Sequence, residues 1–200
     1  PNDLDMSLGV RKAISVPFDQ AVPLVYSIDK NYCIECFKCV DACGARQAIN
    51  FEQKPEEVEL DVGAIIVATG YDPFNPRLKP EFGYGLYKNV MTGLEFERLL
   101  SATGPTQGKI KINGKEPKNI VFIQCVGSRD KTVGNEYCYR VCCMYTAKQA
   151  SLIKDRIPDA RVTICYIDIR AFGKGYEQFY DQVQRKGVLY RKGTPSELYQ

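Results

Sequence analysis

Four cysteines near the middle of the chain have a spacing that favours metal chemistry. Cys125 follows an apolar run and stands just before Gly127, where a strand would turn into a helix. A strand, turn and helix in that order usually places backbone N–H groups around a phosphate. Here thiols converge on the turn instead, in the pattern C-x12-C-x3-C-C formed by Cys125, Cys138, Cys142 and Cys143. These residues predict a metal cluster where a dinucleotide would otherwise be expected.

The helix predicted after this turn would present three of the thiols. Over about 138–156 it would place Cys138 and Cys142 on one face, with Cys143 about 100° further round. A negatively charged cluster would then lie at the positive end of the helix dipole. Inert core cysteines are the alternative, because free cysteine is common in protein interiors. The segment lacks G-x-G-x-x-G, which argues against nicotinamide binding.

A second cysteine group, nearer the start of the chain, has a more specific spacing. Cys33, Cys36, Cys39 and Cys43 form C-x2-C-x2-C-x3-C, with Gly44 where ferredoxins usually have proline. This is the spacing with which bacterial ferredoxins bind a [4Fe–4S] cluster. Because only one such run is present, all four thiolates are predicted to bind one cluster. A zinc site is the alternative, although zinc sites usually consist of two CxxC pairs separated by a longer loop.

The composition excludes several other kinds of chemistry. Of nine cysteines, only Cys165 stands outside the two groups, and it is interpreted as a buried strand residue. Histidine is absent, which rules out mixed cysteine–histidine zinc sites, haem–histidine ligation and histidine-based catalysis. The formal charge of +3 counts the cysteines as neutral, and two four-thiolate cubanes would bring it to roughly −1. Neither nucleic-acid binding nor a membrane span is predicted.

The elements that must position the thiols at 125–143 alternate regularly from Lys118 onward. Strands are predicted at 119–125, 161–167 and 187–191, with helices at about 138–156 and 176–186. This order indicates a βαβαβ unit with a parallel sheet, half of a doubly wound fold.

The chain before Lys118 lacks this regular alternation of strands and helices. Short strands are predicted at Val25–Asp29 and Ala48–Phe51 around the cysteine run at 33–43. Further strands are predicted at Val58–Leu60 and at Gly63–Gly70, the latter buried on both faces. A short helix from Gly93 to about Ala102 is predicted behind the capping box of Thr92 and Glu95, and Asn113-Gly114 predicts a type I′ hairpin turn.

Small residues end the strand predicted at Gly63–Gly70. Ala68, Thr69 and Gly70 would let a cofactor approach the backbone, although a plain exit from a strand into a loop is the alternative. An Ala-Thr-Gly strand followed by a connection and a nucleotide-type βαβ unit resembles the thioredoxin reductase group of flavoproteins.

With these pieces together, the chain resembles the family of heterodisulfide reductase A subunits, which bear the flavin in methanogens and related anaerobes. The resemblance is carried by GAIIVATGYDPFNP (63–76), IQCVGSRDKTVGNEYCYRVCCMYTAKQA (123–150) and AFGKGY (171–176). It implies an α/β fold with a Rossmann-like, thioredoxin-reductase-like βαβ unit, preceded by a small α+β ferredoxin-like [4Fe–4S] module. Residues 1–55 would be a lead-in and the inserted module, 56–108 part of an FAD-binding domain, and 109–200 an NAD(P)-domain-like unit carrying the second cluster.

The resemblance also implies a function. Two [4Fe–4S] clusters and an FAD would serve flavin-based electron bifurcation in methanogenesis, in the cytoplasm. The partners would be the other heterodisulfide reductase subunits, a hydrogenase or formate dehydrogenase as electron donor, and ferredoxin. A related subunit of a quinone-interacting oxidoreductase of sulfate reducers shares this scaffold, and a non-catalytic zinc-stabilised interaction module is a third interpretation.

Two further roles are implied by the resemblance. Lys148 would be the cation beside flavin N5, and Glu95 its carboxylate partner; a capping carboxylate and a solvated helix lysine are the alternatives. The chain begins at Pro1 and is expected to be an internal part of a longer polypeptide. It lacks the glycine-rich motif of an FAD domain, so FAD is expected to be shared with residues outside it and the isolated chain to be inactive.

Overall fold

The computed structural model describes residues 2–199, which form two compact units. One unit is Arg11–Asp72, and the other combines the residues up to Val10 with those from Pro73 onward. The first cysteine group, Cys33 to Cys43, belongs to the smaller unit, and the second cysteine group, Cys125 to Cys143, belongs to the larger one. The domain division predicted at 56–108 and 109–200 remains a prediction.

The smaller unit has little regular structure and no core. Strands β1 (Ile14–Ser15) and β2 (Ser27–Ile28) pair antiparallel, and helix α1 (Lys38–Cys43) runs into a 3-10 turn at Gly44–Arg46. No residue from Arg11 to Asp72 is buried. Since apolar burial is the main force that stabilises a folded chain, this unit depends on other interactions.

Three strands predicted in this part of the chain are not formed. The strand predicted at Val25–Asp29 is present as β2, which pairs with β1. No strand forms at Ala48–Phe51 or at Val58–Leu60. The buried strand predicted at Gly63–Gly70 is also wrong, because every residue from 52 to 73 is exposed. An apolar strand needs neighbours to bond its N–H and C=O groups, and the described residues provide none for this segment.

The larger unit confirms the predicted alternation of strands and helices. Behind helix α2 (Gly93–Leu100) come β3 (Asn119–Ile123), α3 (Cys142–Arg156), β4 (Arg161–Tyr166), α4 (Tyr176–Arg185) and β5 (Leu189–Lys192). The three strands form a parallel sheet in the order β3-β4-β5. An α/β fold is therefore confirmed for this unit, while its Rossmann-like and the smaller unit's ferredoxin-like character remain predictions.

Helix α3 begins four residues later than predicted. Arg140 adopts a left-handed φ of 64°, which an α-helix cannot contain. The chain before it is tied to the turn after β3, because Ser128 Oγ donates to the Tyr137 carbonyl at 3.2 Å and accepts from the Tyr139 N–H at 3.1 Å. Cys138 therefore lies in a loop, and the prediction that it shares a helix face with Cys142 is wrong.

Two local predictions are confirmed. Thr92 Oγ1 accepts from the Glu95 N–H at 3.2 Å and Glu95 Oε2 accepts from the Thr92 N–H at 2.6 Å, which completes the capping box of α2. Asn113 and Gly114 have φ of 51° and 78°, the positive values that a type I′ turn requires.

The hydrophobic core lies between helices α2, α3 and α4 and the sheet. Ile153 of α3, Ile164 of β4 and Val183 of α4 are completely inaccessible to solvent. Within residues 2–199, no helix is both long and apolar enough to cross a bilayer.

Candidate metal centre

The turn after β3 holds Cys125 in a conformation that fixes the position of its thiol. Cys125 has φ of 62°, in the left-handed region that residues with a Cβ rarely adopt and that typically costs about 1–3 kcal/mol. Gly127 follows with φ of 70°, and a Cβ there would lie 2.3 Å from the Phe74 ring. Glycine is thus required at this position, because the Phe74 ring packs directly against the turn.

Three of the four thiols in the second group are linked to one another. Cys142 interacts with both Cys125 and Cys143, and Cys143 Sγ donates to the Asp168 carbonyl at 3.8 Å. The interaction with Cys142 lowers the pKa of the Cys125 thiol, whereas Cys125 raises the pKa of Cys142 and Cys142 raises that of Cys143. Cys142 and Cys143 are the first two residues of α3, so they lie at the positive end of its dipole.

The described residues do not form a finished shell around a single ion. Among residues 2–199, no three cysteine, aspartate, glutamate or histidine side chains are grouped so that they could hold one metal ion. Three thiols of the second group, those of Cys125, Cys142 and Cys143, interact with one another instead. A cubane has a looser requirement than one ion, because each of its four thiolates binds a different iron.

Backbone N–H groups point at thiols in both cysteine groups. Glu35 N donates to Cys33 Sγ at 3.4 Å, Ala48 N to Cys43 Sγ at 3.2 Å, and Arg140 N to Cys138 Sγ at 3.3 Å. Bonds of this kind are typical of iron–sulfur sites, whose reduction potentials they help to set. The donor chemistry of both groups therefore fits a cluster better than it fits inert core cysteines.

The first cysteine group is open to solvent. Cys39 and Cys43 are four residues apart on α1, while Cys33 and Cys36 lie in the loop before it, where Cys36 is exposed. Phe37, the residue before α1, has φ of 54°, and its ring packs edge-on against Phe51 at 5.0 Å. These contacts position the loop but do not bury it.

Two arginines that the sequence did not single out lie beside the second cysteine group. Arg129 acts electrostatically on Cys125, and Arg170 on Cys138 and Cys143. Asp168 holds both, at 2.7 Å from Arg129 Nη1 and 3.4 Å from Arg170 Nε. Their positive charge suits a group of thiolates, and only the fold could reveal it, because the arginines follow two different strands.

Buried polar atoms without partners also border the second group. The hydroxyl of Tyr190 on β5 is buried, has no hydrogen-bond partner, and has a raised pKa owing first to desolvation and then to Tyr180 and Cys143. Gln124, next to Cys125, has a buried side-chain amide whose oxygen and nitrogen both lack partners. Native proteins rarely leave such groups unpaired, so the surroundings of Cys125 and Cys143 are built for contacts beyond those of the chain itself.

The residues expected at a flavin are arranged differently from the prediction. Lys148 Nζ pairs with Glu97 Oε1 at 2.5 Å, not with Glu95. Glu95 accepts from the Tyr84 hydroxyl at 2.8 Å as well as capping α2. Gln149, almost completely buried, donates to Glu97 Oε2 at 3.1 Å and so fixes the carboxylate that faces Lys148. Ala68, Thr69 and Gly70 are exposed and lie in no strand.

Comparisons with known proteins identify the family. No protein-family model matches the chain. It is 54% identical, over 99% of its length, to the A subunit of the H2:CoB–CoM heterodisulfide, ferredoxin reductase of Methanothermobacter thermautotrophicus. It is 55% identical over 98% of its length to the iron–sulfur A subunit of the CoB–CoM heterodisulfide reductase of Methanocaldococcus jannaschii. It is 48% identical over 99% of its length to the A subunit of the ferredoxin/F420H2-dependent CoB–CoM heterodisulfide reductase of Methanosarcina acetivorans.

The chain spans about 25–30% of the length of these curated relatives. The matched region takes in both cysteine groups, since it is nearly the whole chain. The chain therefore belongs to the family of heterodisulfide reductase A subunits.

Proposed function

We propose that this chain carries electrons through two [4Fe–4S] clusters, one held by Cys33, Cys36, Cys39 and Cys43 and the other by Cys125, Cys138, Cys142 and Cys143. The observation that carries the proposal is the linked set of thiols at the turn after β3, where Cys125 holds a strained backbone conformation. One relative is named an iron–sulfur subunit, which supports it. When bound, the clusters would supply one-electron transfer.

The chain's own groups would prepare the second site for a cluster. The positive end of α3, the Arg140 N–H and the arginines held by Asp168 all favour negative charge at the thiols. The first site relies mainly on its loop, whose N–H groups at Glu35 and Ala48 point at sulfur.

In the whole protein, the proposed role is flavin-based electron bifurcation in a cytoplasmic heterodisulfide reductase. The relatives' names mention H2, formate, ferredoxin and the CoB–CoM heterodisulfide. The proposed partners are therefore a hydrogenase or formate dehydrogenase, ferredoxin and the other reductase subunits. FAD would be shared with residues outside this chain, with Ala68, Thr69 and Gly70 as contacts.

Lys148 is proposed to lie beside the flavin in that whole protein. The cation is half exposed, so it is accessible to a cofactor bound from outside the unit. Its ion pair with Glu97, itself fixed by Gln149, holds the ammonium group in place. Glu95 is proposed to act less directly, by fixing the start of the helix that carries Glu97.

Metal analysis of variants tests the cluster assignment. The anaerobically purified chain should contain about eight iron atoms and an equal amount of acid-labile sulfide. Cys142→Ala should remove about half of the iron while the first cluster stays, because the two ligand sets share no residue. Cys165→Ala is the matched control, since Cys165 lies in β4, half-buried and belonging to neither set, and should leave the iron content unchanged.

Two results would contradict the proposal. Full iron retention in Cys142→Ala would make Cys142 a structural residue of α3. About two zinc ions and no iron would show a zinc-stabilised interaction module instead.

A further inference from the structure

Asp168, just after β4, connects the second cysteine group to two arginines. Cys143 Sγ donates to the Asp168 backbone carbonyl at 3.8 Å. The Asp168 carboxylate oxygen Oδ1 accepts from Arg129 Nη1 at 2.7 Å and from Arg170 Nε at 3.4 Å. Since Arg129 follows β3 and Arg170 follows β4, the carboxylate joins the ends of two neighbouring strands of the parallel sheet. These three residues form an ion-paired group beside the thiols, the Arg129–Asp168–Arg170 bridge.

The bridge brings positive charge to the second cysteine group. Two guanidinium groups and one carboxylate leave it with one net positive charge, because arginine stays protonated in proteins. Arg129 acts electrostatically on the Cys125 thiol, and Arg170 on those of Cys138 and Cys143. The Arg129 side chain is 25% exposed and that of Arg170 44%, so solvent and salt screen Arg170 more strongly.

Fixed charge at this place has a definite effect on a redox group. When a [4Fe–4S] cluster takes up one electron without a proton, its negative charge increases by one. A nearby cation therefore attracts the reduced form more than the oxidised form and raises the reduction potential, whereas a nearby anion lowers it. The two arginines and Asp168 should thus act on the potential with opposite signs.

We propose that the Arg129–Asp168–Arg170 bridge raises the reduction potential of a cluster bound by the second cysteine group, and that the Asp168 carboxylate limits the rise. This role rests on the proposed [4Fe–4S] cluster at these thiols. Asp168 is a positioning residue, because it holds both guanidinium groups at the strand ends while it offsets part of their charge.

Redox titration followed by EPR tests this role on the anaerobically purified full chain, with dithionite as the electron donor. The signal of the second cluster is the one that Cys142→Ala removes. At the parent's midpoint potential, Arg129→Gln should lower the ratio of reduced to oxidised cluster at least threefold, a shift of about 28 mV at 59 mV per tenfold for one electron. Arg170→Gln should shift the ratio in the same direction by less, whereas Asp168→Asn should raise it at least threefold.

Two controls separate the bridge from other effects. Arg161 is exposed and lies at the opposite end of β4, so Arg161→Gln removes the same charge from the larger unit and should leave the potential unchanged. Arg129→Lys keeps the charge and should restore most of the potential lost in Arg129→Gln. All variants should keep about eight iron atoms, so that potentials are compared at equal cluster content.

The proposal is overturned if Arg129→Gln and Asp168→Asn both keep the parent potential, or if both shift it in the same direction. An equal shift in Arg161→Gln would attribute the effect to net charge and would equally refute a role of the bridge. If Arg129→Gln loses iron, the opposite signs expected for Arg170→Gln and Asp168→Asn decide. Absence of iron from the parent chain would instead refute the cluster assignment itself, so the two failures are distinguishable.

Discussion

The two cysteine groups lie in units that differ in whether they have a buried core. The second group lies at the edge of the parallel sheet. The core between this sheet and its helices includes Ile153, Ile164 and Val183, all completely buried. The first group lies in a unit without a single buried residue from Arg11 to Asp72. In the larger unit the packed fold brings Cys125, Cys142 and Cys143 together, whereas in the smaller unit the proposed cluster would have to organise the chain, as metals do in many small domains.

Removing the metal should produce the largest difference in folding between the two units. Anaerobic chelation of iron is expected to unfold residues 11–72, which have no core to replace the lost metal bonds, while the sheet persists. Limited proteolysis followed by mass spectrometry measures this. Cleavage between Arg11 and Asp72 should rise at least tenfold, with cleavage in β3, β4 and β5 unchanged. Equal protection of both units after chelation would break the comparison.

Truncating an apolar side chain should change the free energy of unfolding very differently in the two units. Ile153→Ala creates a cavity in the core and is expected to lower the free energy of unfolding by about 2–5 kcal/mol. Ile66→Ala, at a side chain 91% exposed, should change it by less than about 0.5 kcal/mol. Urea denaturation followed by circular dichroism compares the two variants. A large loss in Ile66→Ala would mean that residues 52–73 pack against something in solution.

The smallest expected effect concerns Asp130 in the larger unit. Hydrogen bonds from Thr132 and Lys79 lower the pKa of Asp130 from 3.8 to about 2. Because the pKa is depressed in the folded state, the stabilisation is present above about pH 4 and is lost as the pH falls toward 2. Asp130→Asn should therefore be slightly less stable than the parent at pH 6, and the difference should vanish near pH 2.

Thermal unfolding between pH 2 and 6 measures this difference. Glu136→Gln is the control, since Glu136 is mostly exposed and its carboxylate lies 3.8 Å from the Lys131 ammonium. A difference between Asp130→Asn and the parent that does not depend on pH would show that the charge of the carboxylate is not what stabilises this turn.

The sequence predicted the larger unit well because its signals are local. Apolar runs, the Thr92–Glu95 capping box and Asn113-Gly114 each depend on residues a few positions apart, and each is confirmed. The predicted start of α3 is wrong because Ser128, a residue of the preceding turn, holds Tyr137 and Tyr139 out of the helix. A long-range contact of this kind leaves no periodic pattern.

The cysteines of the candidate site could be selected from the sequence, whereas their surroundings could not. Cysteine spacing alone selected both groups, whereas Arg129 and Arg170 follow β3 and β4, and Tyr190 lies within β5. The strand predicted at Gly63–Gly70 does not form, for the converse reason. Its apolar run is a genuine local signal, but a strand forms only beside a partner, and the described residues supply none.

The left-handed backbone at Cys125 has an evolutionary consequence. Glycine would occupy this position without strain and would make the turn more stable, yet it carries no sulfur. Selection for robustness alone would therefore drive the cysteine out. Its presence in this chain implies that a requirement for the thiol, and not folding, decides which residue stands there.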